Sequence, residues 1–249
     1  LDAFNHVFLQ DQNYLMVAQE LGLNNCTVNG DTRFDRASQL IERDNTTTLF
    51  ERFVAQDLCL VIGSSWPEDI EVLKKWLYKN DISGKCKVMI APHEVGEQSI
   101  KDLQLQLDYP TCKWSEINGK GDINCSTLII DVIGQLTKAY SYASVAYVGG
   151  GMGEKGLHNI LEAATFGIPI IIGKKYEKFP EAGKLEDLGG LYSISSSKEF
   201  EEIIEKTLQD DTFRNQTGMI SGHWINSNTG ATQSIINYLN AIDENFILD

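Results

Sequence analysis

DVIGQLTKAYSYASVAYVGGGMGEKGLHNILEAATFGIPIIIGKKYEKF, residues 131–179, decides the fold of this chain. Residues 144–148 form a short apolar, β-branched run that reads as a strand, residues 149–156 a loop with five glycines, and residues 157–166 a helix facing Ile160, Leu161 and Ala164 inward. Gly167 and Pro169 stop that helix. A second apolar strand over residues 168–172 follows after so short a turn that the two strands must lie parallel with the helix crossing between them. Ligands of such sheets sit beyond the carboxyl ends of the strands.

The loop is therefore the place to look for chemistry. Glycines at 149, 150, 151 and 156 can turn backbone N–H groups toward an anion, and the start of the following helix adds its dipole. Lys155 supplies a full charge there, while Asn159 and Glu162, three apart on one helical face, suit a ribose diol. Two plainer readings stand beside these: a glycine loop that only turns the chain, and a polar pair that only faces solvent.

At 249 residues with 42% hydrophobic residues, the composition is that of a soluble globular protein of one large or two modest domains. No apolar run reaches the roughly 20 residues of a membrane span, no signal peptide is visible at Leu1, and the abrupt start reads as that of a fragment. A net charge of -14 and a pI near 4.7 argue against nucleic acid and anionic bilayers as partners. The cysteines at 26, 59, 86, 112 and 125 are odd in number and lack CxxC or metal-like spacing, which fits a reducing compartment and reads as buried or bystander thiols.

Before this stretch, residues 1–36 read as strand (6–9), helix (12–21) and strand (near Thr27 and Val28), with residues 31–35 as a connection. This βαβ piece is either an edge of the main sheet or the tail of another domain. A regular alternation follows: helix 37–43, strand 58–62, helix 67–79, strand 87–91, helix 95–107, and strand 127–130 after a polar loop marked by Gly119, Gly121, Asp122 and Asn124. The turn GSSWPE places Ser65 and Glu68 at capping-box spacing with Pro67 near the first helical position, making Ser64 and Ser65 a second small anion seat or a simple cap. His93 lies at a strand's carboxyl end, where it can stack on a base or rest as a loop histidine; Gly134 would admit a ligand to the backbone. His6 and His223 carry no functional reading. Helices close the chain at 181–188, 199–209 and 232–241.

Together these residues resemble the carboxyl-terminal part of the 3-deoxy-D-manno-octulosonic acid (Kdo) transferases, the lipopolysaccharide glycosyltransferases that use CMP-Kdo. The resemblance rests on FLQDQ at 8–12, GDTRFDRA at 30–37, GSSWPED at 63–69, APH at 91–93, KWSE at 113–116, DVIGQL at 131–136, GGGMGEKGLHNILEAATFGIPIIIG at 149–173 and KFPEA at 178–182. GLHNILEAA is the most specific of these blocks. The resemblance implies CMP contacts at Pro92 and His93, at Ile133, Gly134 and Gln135, and at Asn159, Ile160, Leu161 and Glu162. The phosphate or donor loop is expected at Ser64, Ser65, Gly149, Gly150, Gly151, Lys155, Gly156 and His158. His93 stands where the family commonly has arginine, Gln135 where it has glutamate, and Lys178 where it has asparagine.

The implied fold is α/β, a Rossmann-like parallel sheet with helices on both faces, as in the second half of a GT-B glycosyltransferase. Residues 1–36 would be the tail of the acceptor domain and residues 37–249 the CMP-sugar donor domain, with the last helix crossing back. The implied reaction is an inverting transfer of Kdo to a lipid A precursor at the cytoplasmic face of the inner membrane of a Gram-negative bacterium. Catalytic base, acceptor and membrane contact would belong to the missing domain, the fragment alone would be inactive, and no cofactor or metal is called for. Other readings remain: another GT-B sugar-nucleotide enzyme, an epimerase or a UDP-sugar transferase, or a non-catalytic nucleotide-binding module. A nicotinamide-binding domain is weaker, because no GxGxxG follows the first strand.

Overall fold

The structure, a computed structural model, describes residues 4–117 and 123–246. The chain opens with β1 (Val7–Leu9), α1 (Asn13–Glu20) and β2 (Cys26–Val28), the two strands pairing in parallel as a sheet of their own. There follow α2 (Thr32–Ser38), α3 (Thr48–Val54), β3 (Cys59–Ser65), α4 (Pro67–Ser83), β4 (Lys87–Pro92) and α5 (Glu97–Leu107). The middle holds β5 (Cys112–Lys113), α6 (Trp114–Ile117), β6 (Thr127–Ile129), α7 (Leu136–Tyr140), β7 (Val145–Val148), α8 (Leu161–Ala164) and β8 (Ile170–Gly173). Last come α9 (Pro180–Leu188), β9 (Leu191–Ile194), α10 (Ser197–Gln209), α11 (Asp211–Ser227) and α12 (Ala231–Phe246).

Strands β3 to β9 form one parallel sheet in the order β5-β6-β4-β3-β7-β8-β9. Both faces are covered, and strand residues alternate between two cores as the pleat requires. Val61, Met89, Ala146 and Ile170 pack with Phe50 and Phe53 of α3 on one face. Leu60, Val88, Tyr147 and Ile171 pack with Leu73 and Trp76 of α4 and Phe200 of α10 on the other. The chain winds outward from β3 on one side to β4 and β6, then returns to lay β7 on the other side. The strand order therefore reverses between β3 and β7, where their carboxyl ends leave a crevice.

The expected doubly covered α/β sheet is present, with several corrections. Residues 31–35 are not a connection: Asp31 caps α2 by accepting from the Arg33 N–H at 2.9 Å, and the helix expected over 37–43 has already ended at Ser38. The helix expected over 157–166 is a single turn, because residues 157–159 are drawn back along the strand end, the His158 N–H donating to the Gly149 carbonyl at 3.1 Å. Helix α11 was not expected; its Gly218 and Gly222 let it lie against the turn at Gly167, where a Cβ on Gly218 would strike the Gly167 carbonyl. Strand β9 was missed as well.

The cysteines also differ from expectation. Cys112 and Cys125 form a disulfide, their Cα atoms 6.1 Å apart because β5 runs beside β6. An odd count does not forbid one pair, and the pairing removes the argument for a reducing compartment. Cys59 and Cys86 are free and buried, burial pushing the Cys86 thiol up to about 12. Gly119, Gly121 and Asp122, read as a loop, lie outside the described residues.

The first βαβ unit is not an edge of the main sheet but a second, small sheet, held from behind by α12. His6 and Phe8 of that unit meet Tyr238 with ring centroids 4.3 and 5.3 Å apart, and the Asn29 amide donates to Ser234 at 2.7 Å. Asp35 of α2 accepts from the N–H groups of Gly230 and Thr232 at 2.6 and 2.9 Å, which anchors the start of α12.

Candidate functional site

The crevice between β3 and β7 is built around Asp69, a fully buried carboxylate on the first turn of α4. It accepts from the Trp66 N–H at 2.9 Å, the Tyr147 hydroxyl at 2.8 Å and the Gly150 N–H at 2.9 Å. Three donors, two of them backbone, offset the cost of burying the charge. The Tyr147 hydroxyl is held well above its usual range by burial and by the neighbouring carboxylate. The capping box expected from Ser65 and Glu68 is not made; only its reciprocal half is present, one residue later, with Asp69 accepting from the Trp66 N–H. The Ser65 hydroxyl is buried without a partner, and Ser64 takes a positive φ of 51° as β3 turns toward Pro67.

The glycine loop folds down onto this centre. Gly149 donates to the Gly63 carbonyl at 2.9 Å, and a side chain there would strike the Ser64 backbone. Gly150 has φ 95°, and a Cβ on it would run into the Gly156 carbonyl. The N–H groups of Gly149 and Gly150 therefore serve protein acceptors rather than a ligand. Gly151 is pressed against Gly173 at the end of β8, and its carbonyl accepts from Lys175 at 2.9 Å. Glu154 pairs with Lys175.

Above the loop lies a cluster of rings. Trp66 stacks on His93 at 4.3 Å between centroids, His93 lies 4.6 Å from His158, and the Trp66 indole N–H donates to His158 Nε2 at 3.2 Å. The Lys155 ammonium sits 5.1 Å over the Trp66 ring. Burial, then the neighbouring His93, holds the His158 imidazole below its ordinary value, with Asp69 opposing. On the other side of Trp66, between α4 and α5, a cavity of about 190 Å³ is lined by Ser65, Pro92, Glu94, Ser99 and Asp102 among others.

A second cluster stands at the ends of β6 and β7. Asn159 is not on a helix; its side-chain oxygen accepts from the Leu161 N–H at 3.0 Å, two residues on at the start of the single turn of α8. Its amide lies 3.4 Å from Glu162, whose other oxygen accepts from the Thr137 hydroxyl of α7 at 3.0 Å. Ile160 and Leu161 are buried in the core, so only their backbone can meet a ligand. Gln135 precedes α7, Gly134 has φ 84° with open space where a Cβ would be, and Ile133 is 86% exposed, an isolated apolar side chain at the sheet's ligand edge.

The structure thus gathers His93, Lys155 and His158 at one end and Asn159, Glu162 and the 133–135 loop at the other. No side-chain hydrogen bond or ring contact joins the two clusters among the described residues. Trp66, Asp69 and Thr137 were not anticipated. An acidic residue three positions past Trp66, in a helix begun by Pro67, was a usable signal for Asp69; nothing local pointed to Trp66 or Thr137. Among the described residues no group of His, Cys, Asp and Glu side chains is placed to hold a metal ion.

No family model matches the chain. Curated relatives do. A 3-deoxy-D-manno-octulosonic acid transferase of Rickettsia bellii is 28% identical over 85% of this chain and 50% of its own length. One of Chlamydophila psittaci is 31% identical over 66% of this chain and 38% of its own length. The chain therefore spans about half the length of the curated relatives it matches or less. Among solved structures, the C-terminal CMP-Kdo binding domain of WaaA from Acinetobacter baumannii superposes with a TM-score of 0.62 at 19% identity, covering 77% of this chain and 96% of that domain. A UDP-GlcNAc 2-epimerase from Neisseria meningitidis superposes at 0.61 with 16% identity, covering 91% of this chain and 57% of the enzyme. The fold is that of the second half of GT-B glycosyltransferases, and the chain is related in sequence to the 3-deoxy-D-manno-octulosonic acid transferases, to whose carboxyl-terminal part it corresponds.

Proposed function

We propose that this chain is the donor-binding half of a Kdo transferase and that it holds CMP-Kdo at the β3–β7 crevice. The observation that carries the reading is the placement of Glu162, fixed between Thr137 and Asn159 beside the open 133–135 loop, in a chain whose sequence relatives are Kdo transferases. Glu162 accepts from the ribose hydroxyls, Ile133 and the Gly134 backbone meet the nucleotide, and His93 lies toward the base. Because Gly149 and Gly150 have spent their N–H groups, the phosphate falls to Lys155, Gly156 and His158. Positive charge and N–H donors at these positions would stabilise the departing CMP without a metal.

In this reading an acceptor hydroxyl of a lipid A precursor, deprotonated by a carboxylate outside this chain, attacks the anomeric carbon with inversion as CMP leaves. Residues 1–36, which include the β1–α1–β2 unit, are assigned to the acceptor domain, and α12 spans back to that unit. Among the described residues no helix is long and apolar enough to cross a membrane, so docking at the cytoplasmic face of the inner membrane is assigned to the remainder of the enzyme. Lacking positioned base and acceptor, the chain alone binds donor and does not transfer sugar; Kdo-lipid formation from CMP-Kdo and a lipid A precursor, followed by mass spectrometry against a full-length enzyme, tests this.

Calorimetric titration of the chain with CMP, UMP and UDP in the presence of a chelator tests the donor assignment. CMP should bind most tightly and the chelator should change nothing. A clear preference for UDP would instead favour a UDP-sugar enzyme, the class to which the Neisseria meningitidis epimerase belongs.

A further inference from the structure

We propose that Trp66 is a positioning residue that locks His158 as its Nδ1–H tautomer, so that a neutral imidazole presents one N–H to the anionic group of the bound ligand. An indole N–H can only donate, so the Nε2 it meets at 3.2 Å is a bare lone pair. A neutral ring with Nε2 unprotonated carries its proton on Nδ1. Among the described residues Nδ1 has no hydrogen-bond partner, and the Cδ2 edge, on the other side of the ring, is the one that faces Gly150.

The surroundings keep the ring neutral. His93 faces it at 4.6 Å and penalises a further positive charge, while Asp69 beneath the loop, which opposes this, is already committed to three donors. Burial is the larger cause of the lowered His158 value and His93 the second, with Asp69 opposing both. Trp66 is itself held in place, its backbone N–H on Asp69 and its face on His93. The tautomer is thus set by α4, through an anchor that also ties down Gly150 of the glycine loop. Which ring nitrogen carries the proton is set by the hydrogen bond the other makes, here the one from Trp66.

The ligand side of this inference rests on the donor reading above; the tautomer side does not. The test is the ring nitrogen spectrum of His158 in the 249-residue chain, by long-range proton–nitrogen correlation at pH 7, for the wild type and for W66F, which keeps a ring on His93 but loses the N–H. The wild type should show a neutral Nδ1–H pattern and W66F a shift toward Nε2–H. Adding CMP should move the Nδ1 resonance, cytidine should not, and W66F should weaken CMP binding about fivefold with melting temperature nearly unchanged. An Nε2–H or charged His158 in the wild type overturns the proposal, as does a W66F spectrum identical to it. If W66F does not fold, the wild-type spectrum still decides the tautomer, and CMP against cytidine still decides the contact. Should CMP fail to bind at all while the Nδ1–H pattern is present, the nucleotide reading and the contact fail and the positioning role stands.

Discussion

The two sides of the ligand edge are built in opposite ways. On the β3–β7 side, Asp69 draws Trp66, Tyr147 and Gly150 together, and Gly149 is tied to Gly63, so the loop's polar groups are answered by protein. On the β6–α7 side, Ile133 stands in solvent and Gly134 faces open space. Both sides carry glycines at positive φ, yet one glycine admits the protein's own backbone and the other leaves room for something else. A glycine-rich loop is therefore not in itself a ligand seat; what matters is who already holds its N–H groups.

If the Asp69 centre is structural, removing it should give the largest effect. Asp69→Ala strands three donors and opens a gap, so it should cost about 3 kcal/mol or more in a denaturant titration, well beyond any single change at the open loop. A loss under about 1 kcal/mol would mean that the strand ends do not depend on it. Gly150→Ala comes next: the strained φ and the clash with the Gly156 carbonyl should cost about 1–3 kcal/mol and lower the melting temperature.

Glu162→Gln sharpens the contrast from the ligand side. Losing the charged acceptor should weaken CMP binding about tenfold, since such bonds are worth roughly 1.5–3 kcal/mol, while stability changes little because the amide can still accept from Thr137. Equal affinity with wild type would return Glu162 to an ordinary polar surface. Ile133→Ser should leave the melting temperature unchanged, given its exposure, and weaken CMP only a few fold through lost apolar contact, about 1 kcal/mol.

The smallest effect is one of pH. His158 is held below the ordinary histidine value of 6.5 in the folded chain, so the unfolded chain binds the proton more readily. Stability should therefore be fully retained above pH 6.5 and decline as pH falls from there through the folded value. Comparing denaturant midpoints between pH 7 and 5 for wild type and His158→Asn isolates the contribution, and identical slopes would remove it.

Much of this was legible in the chain itself. Apolar runs such as 59–62, 145–148 and 170–172 declared buried parallel strands, because burial on both faces leaves no room for alternation. Pro67 and the glycine and proline breaks marked helix ends, and loop ends such as Ile133–Gly134–Gln135 followed from knowing where strands stop. Local rules set these features, through backbone geometry and the period of apolar residues, so a single sequence states them.

What only the tertiary structure decided are the pairings between distant residues. The Cys112–Cys125 bridge depends on β5 lying beside β6, the seating of α11 on Gly218 meeting Gly167, and the Trp66–His93–His158 stack on the ends of three strands converging. Asn159 and Glu162 looked like neighbours on one helix face; they do meet, but across a single turn, with Thr137 of another helix completing the arrangement. The physical reason is range: propensity and spacing act over a turn or two of chain, whereas a hydrogen bond to Asp69 from Gly150 closes a loop of 81 positions and exists only once the whole sheet has formed around it.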